Sequence, residues 1–142
     1  MWPVRDLGAF LHGEWRLIRR IHDLRLELRG RLEGRASVTA AATDLRLEES
    51  GRLVFGSHVS DASQHYRIAL GDGGAQVFRA DGSHFHDLDL SSGSARILHR
   101  CGHDLYRGRY RALNRDAYCV AWRVIGPRKN YRMTSLYNRI TS

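Results

Sequence analysis

From Tyr66 to Tyr110 the chain alternates apolar and polar positions in short runs, each closed by a tight-turn signal. Side chains alternate faces along a strand, so a two-residue hairpin loop sets which residues oppose one another. Asp72-Gly73 places Leu70 opposite Ala75, Ile68 opposite Val77 and Tyr66 opposite Arg79. Asp81-Gly82 places Arg79 opposite His84 and Val77 opposite His86. Ser92-Gly93 places Leu88 opposite Ile97, His86 opposite His99 and His84 opposite Cys101. Gly102-His103, a weaker turn signal, places Cys101 opposite Asp104 and His99 opposite Tyr106. The four turns, read separately, agree on one face. It carries Ile68, Val77, Leu88 and Ile97 together with Arg79, His84, His86, His99, Cys101, Asp104, Tyr106 and Tyr110. The other face carries Arg67, Asp87, Asp89, Arg96, Arg100, Arg107 and Arg109, a set that belongs in water. A bulge would shift this parity.

The remaining segments extend the pattern. Residues 6–11 predict a short helix or 3₁₀ turn. Trp15, Leu17, Arg19 and Ile21 share a strand face, whereas residues 24–34 fit either a strand or a short helix. Residues 36–42 read as a strand of small side chains. Residues 45–49 and 52–56 read as a hairpin over Ser50-Gly51, and residues 57–64 as a patternless loop. Val120, Trp122 and Val124 are in phase; a three-residue loop at Leu113-Asn114-Arg115 turns them inward. After Gly126-Pro127, Tyr131, Met133, Ser135, Tyr137 and Arg139 are in phase on a last strand. Many short antiparallel strands with almost no helical period predict an all-β chain, a closed antiparallel up-and-down β-barrel of about ten strands with at most a short N-terminal helix.

At 142 residues the chain is expected to form one domain, residues 1–142, with one core. No stretch approaches the ~20 apolar residues of a membrane span, and the first residues lack the apolar region of a signal peptide. Two cysteines, Cys101 and Cys119, are too few for a disulfide framework, so a cytoplasmic protein with reduced thiols is expected. The formal charge is +8. Basic chains often bind nucleic acid, but here the arginines are dispersed with no dense run, and a nucleic-acid partner is not expected. Phe78 and Phe85 face each other on the outside by the same register, a patch suited to a homodimer contact.

Gly13-Glu14-Trp15 opens the first strand, and the chain ends on a strand carrying Tyr137-Asn138-Arg139. This pairing resembles the calycin barrels, the lipocalins and fatty-acid-binding proteins among them. The resemblance implies that Trp15 plugs the barrel floor and that Arg139, or failing it Arg132, stacks on it. The whole chain is similar to a functionally uncharacterised family of short bacterial and fungal proteins. Asp81-Gly82 with Phe85-His86, His99-Arg100-Cys101 with Asp104-Leu105-Tyr106, and Trp122 before Gly126-Pro127-Arg128-Lys129-Asn130-Tyr131 carry that likeness. It implies a calycin-like fold and no known activity. The haem-binding nitrobindin branch has further glycines after its Gly-x-Trp; Arg16-Leu17-Ile18 stands there instead, which counts against haem.

A barrel lining of this chemistry predicts capture of a small anionic or aromatic metabolite, with no cofactor identified. His86, His99, Asp104 and Tyr106 form the polar end and are the candidate catalytic groups, because a carboxylate beside imidazoles sets their protonation. Candidate ligand contacts are Arg19, Arg79, His84, Cys101, Tyr110, Trp122, Lys129, Tyr131, Tyr137 and Arg139. Inward cations call for an anion, supplied by Asp104 or by a ligand, and the tyrosines supply flat walls with hydroxyl tips. The nearest rival reading is an acid–base isomerase, cyclase or lyase using the same cluster. A metal site at His84, His86, His99 and Cys101, or a haem protein, ranks after it.

Overall fold

The structure, a computed structural model, describes residues 1–141 apart from Gly73. A short helix, α1 (Leu7–Leu11), precedes ten strands. These are β1 (Gly13–Asp23), β2 (Leu28–Ala41), β3 (Asp44–Phe55), β4 (His58–Gly71), β5 (Gly74–Arg79), β6 (His84–Leu88), β7 (Ser94–Cys101), β8 (Asp104–Asn114), β9 (Ala117–Ile125) and β10 (Asn130–Arg139). All pairings are antiparallel between chain neighbours, except that β1 also pairs with β10. The result is an up-and-down barrel whose ladder runs from β6 round to β7. No helix among the described residues is long and apolar enough to cross a membrane.

The barrel is nearly, not fully, closed. The expected pairing of β6 with β7 across Ser92-Gly93, His86 with His99 and His84 with Cys101, is absent from the ladder. Backbone groups near that turn are engaged elsewhere. The Leu90 carbonyl accepts from the Gly93 and Val4 N–H groups, and the Trp2 N–H donates to Ala112 O, so the N-terminal segment lies along this end of the seam. Side chains fill the seam higher up: Phe85 on β6 meets His99 on β7 edge-on at 5.2 Å.

Register follows expectation in β4–β5, where Tyr66 opposes Arg79 and Ile68 opposes Val77. The Asp72-Gly73 turn that sets it falls partly outside the described residues. The weak Gly102-His103 signal also holds: Cys101 opposes Asp104 and His99 opposes Tyr106. At Asp81-Gly82 it does not. The Arg79 N–H donates to Ser83 O, and Gly82 adopts φ 88° in a longer loop. A bulge then carries the pairing from Val77–His86 to Phe78–His84. Phe85 is the additional residue, and it turns inward, 9% exposed, while His84 is exposed. The expected outer Phe78–Phe85 patch therefore does not exist; Phe78 is covered instead by the Arg67 guanidinium at 4.2 Å.

Two further expectations give way. Ser50-Gly51 is no turn, and residues 58–64 are strand: β2, β3 and β4 are long, continuous and paired throughout. Gly51 lies directly opposite Gly34. A Cβ on Gly34 would fall 1.9 Å from Ser50 O and 2.5 Å from Gly51 Cα, so these glycines permit close backbone approach in mid-strand. Residues 24–27 form the β1–β2 turn. Val120, Trp122 and Val124 face inward as expected, but through a register shift between Ala112 and Asn114 rather than a longer loop.

The floor is built around Trp15, fully buried, whose Nε1 donates to Leu11 O at 2.9 Å. The Arg139 guanidinium lies 4.2 Å above its ring. Arg139 is itself held by the carbonyls of Phe10, His12 and Arg115 and by Asp116. α1, capped by the Asp6 carboxylate on the Ala9 N–H, contributes Phe10 and Leu11 to the same layer.

Candidate functional site

Above the floor the barrel holds a cavity of about 560 Å³ that opens at the opposite end, and beneath it a small void of about 60 Å³. Arg19, Glu49, Gln64, Tyr66, Phe85, Trp122 and Met133 line both. Strand alternation places these residues: Arg19 follows Trp15 and Leu17 on the inner face of β1, and Tyr131, Met133, Ser135 and Tyr137 alternate inward on β10. Trp122 on β9 lies against β8 because its cross-strand partner is Gly108, where a Cβ would fall 2.5 Å from the indole.

The cavity walls are aromatic. Phe85 stacks on Trp122 with centroids 5.2 Å apart and on Tyr66 at 6.4 Å. Tyr106 and Tyr131 complete the mouth. Arg79 stands over this surface, its guanidinium 4.4 Å from the Phe85 ring and 5.7 Å from that of Tyr106. Among the described residues its side chain makes one hydrogen bond, a long one, Nη1 to Cys101 Sγ at 3.9 Å. Among the described residues Arg79 forms no salt bridge.

The inner end is a hydrogen-bonded network centred on a carboxylate that pattern reading missed. Glu49 is 4% exposed and accepts from Arg19 Nη2 at 2.9 Å, from Gln64 Nε2 at 2.8 Å and from the Tyr137 hydroxyl. Arg19 Nε donates to Ser135 Oγ at 2.7 Å, and Nη2 also reaches the Tyr137 oxygen at 3.1 Å. The Tyr66 hydroxyl donates to Gln64 Oε1. Burial opposes the Arg19 charge, but Tyr137 and Glu49 outweigh it and hold the guanidinium above its ordinary pKa. Burial, then Glu49, pushes the Tyr137 phenol well up. Glu49 was hidden because it follows Glu48 at the end of a segment read as one arm of a short hairpin over Ser50-Gly51. With Gly51 in mid-strand, β3 continues, and the alternation Leu45, Leu47, Glu49 becomes an inner face.

The remaining predicted site residues divide by place. His86 is 4% exposed; its Nδ1 lies 2.9 Å from Asp87 O, and its Nε2 3.3 Å from the Tyr110 hydroxyl. Burial lowers its pKa to about 4, so the ring is neutral near pH 7. The Nδ1–H tautomer fits both contacts, donating to Asp87 O and accepting from Tyr110. His99 is half-buried against Phe85, its pKa lowered by burial and by Arg79 and His84. The expected partnership of these histidines with Asp104 is not formed. Asp104 pairs with Lys129 at 3.0 Å at the rim, where Lys129 also donates to the Tyr106 hydroxyl. His84 points outward to Asp87 at 2.9 Å, and Cys101 is exposed beside Arg79. The expected single polar cluster is thus dispersed, and no group of three or more His, Cys, Asp or Glu side chains among the described residues is placed to hold a metal ion. Arg139 lies at the floor, outside the lining of both chambers.

Solved structures with the same architecture share little sequence. The S-type phycobiliprotein lyase CPES from Guillardia theta is similar at a TM-score of 0.70 and 12% identity, over 99% of this chain and 94% of that one. A protein of unknown function from the DUF3598 family of Nostoc punctiforme gives 0.57 at 12% identity, over 99% of this chain and 51% of that one. A de novo designed fluorescence-activating β-barrel gives 0.53 at 11% identity, over 96% of this chain and 100% of that one. At these identities the likeness establishes the calycin-like barrel alone. No curated protein matches the chain. The sequence itself matches the family of unknown function DUF6314 over residues 11–139, and the chain belongs to that family.

Proposed function

We propose that the barrel captures a small planar aromatic molecule bearing an acidic group, with its ring against the Phe85–Trp122 wall and its anion on Arg79. The observation that carries this reading is the Arg79 guanidinium, without a salt bridge among the described residues, in the mouth of an aromatic cavity. Half-burying a guanidinium without a carboxylate is unfavourable unless an anion arrives to meet it. A cavity of about 560 Å³ is of the size that encloses a small organic ligand. Binding is favoured over acid–base catalysis by this same cluster because His86, His99, Asp104 and Tyr106 make no hydrogen bond to one another, whereas a general acid–base pair acts through direct contact or one water.

The test is titration with the fluorescent anion anilinonaphthalene sulfonate. The protein should bind it with a single saturable site, and Arg79→Gln should weaken binding about tenfold, the scale of one charge-assisted contact. Because the anion is proposed to rest on Arg79, and the buried His86 is neutral above pH ~5, affinity should stay level from pH ~6 to ~8, in contrast to recognition by charged histidines. Equal affinity in wild type and Arg79→Gln, or loss of binding as pH rises through ~6.5, would remove Arg79 from its role.

A further inference from the structure

The inner network differs in character from the mouth. Arg19 is 7% exposed and sits at the junction of the two chambers, yet it is not a free cation. Its charge is matched by Glu49, and its Nε and Nη2 donors are all engaged with Ser135, Glu49 and Tyr137. Guanidinium carries two more N–H donors, on Nη1. Among the described residues Nη1 has no acceptor, and it is not among the sealed, unpartnered polar atoms, so it opens to the cavity that Arg19 lines. The Tyr66 hydroxyl, which lines the same chambers and donates to Gln64, retains acceptor capacity.

We infer that the Arg19–Glu49 pair forms an inner subsite that takes an uncharged oxygen acceptor, a ketone, lactam or amide carbonyl, and rejects a carboxylate. The inference rests on the proposal that the mouth binds an aromatic acid, and it sets which end of that acid enters first. A carbonyl oxygen accepts the two Nη1 donors without adding charge. A carboxylate in the same place would stand beside Glu49 in a poorly solvated chamber, where like charges repel strongly. The Arg19 cation cannot compensate, because Glu49 already does. The ligand is therefore bipolar: carbonyl inward on Arg19, acid outward on Arg79, flat body between.

Fluorenone carboxylate and fluorene carboxylate, with the acid at the same ring position, differ only in the ketone. Their ability to displace anilinonaphthalene sulfonate reads the subsite directly. Wild type should prefer the ketone at least about tenfold, because without it the Nη1 donors lose water and gain no partner. Glu49→Gln leaves Arg19 unneutralised, so the variant should gain affinity for dodecanoate, an acid with no aromatic body, by about tenfold or more. The wild-type comparison needs no substitution and decides the matter even if the variant does not fold. Equal affinity for the two acids, both weakened by Arg79→Gln, would overturn the carbonyl subsite and leave the mouth site standing. Failure of both acids to displace the dye would overturn the two together. Dodecanoate affinity unchanged in a folded Glu49→Gln would show that Glu49 does not exclude carboxylates.

Discussion

His86 is held neutral by its burial, and this has a consequence for stability. The unfolded chain takes up the imidazole proton near the ordinary value of ~6.5, whereas folded His86 resists it down to about 4. Its contribution is therefore complete above ~6.5 and is lost as pH falls through that window, by up to about 3 kcal/mol. His86→Gln should lack this component. Urea unfolding at pH ~7 and pH ~4 should show a smaller acid loss in the variant than in wild type, and identical losses would mean that His86 is not protected. Trp15 is a different case. It is fully buried beneath Arg139, and Trp15→Ala should cost about 3–5 kcal/mol; a loss below ~1 kcal/mol would show that it is no plug. Trp15 was legible because Gly13-Glu14-Trp15 carries the resemblance to the calycin barrels, which implies a plug at that position. Glu49 was not, because a carboxylate on an exposed strand and one on an inner face look alike until the strand's length is known.

At the level of elements, glycine carries two meanings that local sequence does not separate. Gly82 and Gly102 adopt φ 88° and 61° in hairpin loops, as turn glycines do. Gly34 and Gly51 instead oppose each other inside the β2–β3 ladder, where no side chain fits. Gly34→Ala should destabilise by about 1–3 kcal/mol or more, since Ser50 O and Gly51 Cα are backbone and cannot swing aside. A neutral effect in chemical unfolding would mean that the strands separate at no cost. The β6 bulge is the second such point. One additional residue turns Phe85 inward to stack on Trp122 and sends His84 out to Asp87. Alternation predicted the reverse, because parity propagates only until the first bulge. The predicted inner positions of His86 and Leu88, beyond the bulge, remained correct because the longer loop and the additional residue offset each other.

Across the whole molecule, the charge has a pattern that the linear chain conceals. Arg107, Arg123, Arg132, His22 and Arg29 stand directly opposite one another across β8, β9, β10, β1 and β2. Alongside this row Arg96 opposes Arg109, and Arg20 opposes Arg31. Like charges at directly opposed positions destabilise a sheet, and salt screens them. Thermal stability should therefore rise between low salt and ~0.5 M. The Arg123→Gln, Arg132→Gln double variant should melt about 2–4 °C higher at low salt and gain less from added salt. A melting temperature that falls with salt would show that attractive pairs such as Arg67–Asp44 dominate the outer surface instead.

What the sequence by itself determined were properties set within a few residues. Those are the antiparallel strand pattern, the hairpin registers at β4–β5 and β7–β8, and the inner phase of β1 and β10. Each depends on strand period or on a two-residue turn, so neighbouring residues carry the information. The tertiary structure alone decided the rest. It joined Glu49 on β3 to Arg19 on β1 and Tyr137 on β10, set Phe85 against Trp122, left the seam between β6 and β7 unpaired, and aligned the outer arginines. These depend on closure, bulges and backbone approach between strands far apart in the chain. Packing and the desolvation of charge select them, and no local pattern records either.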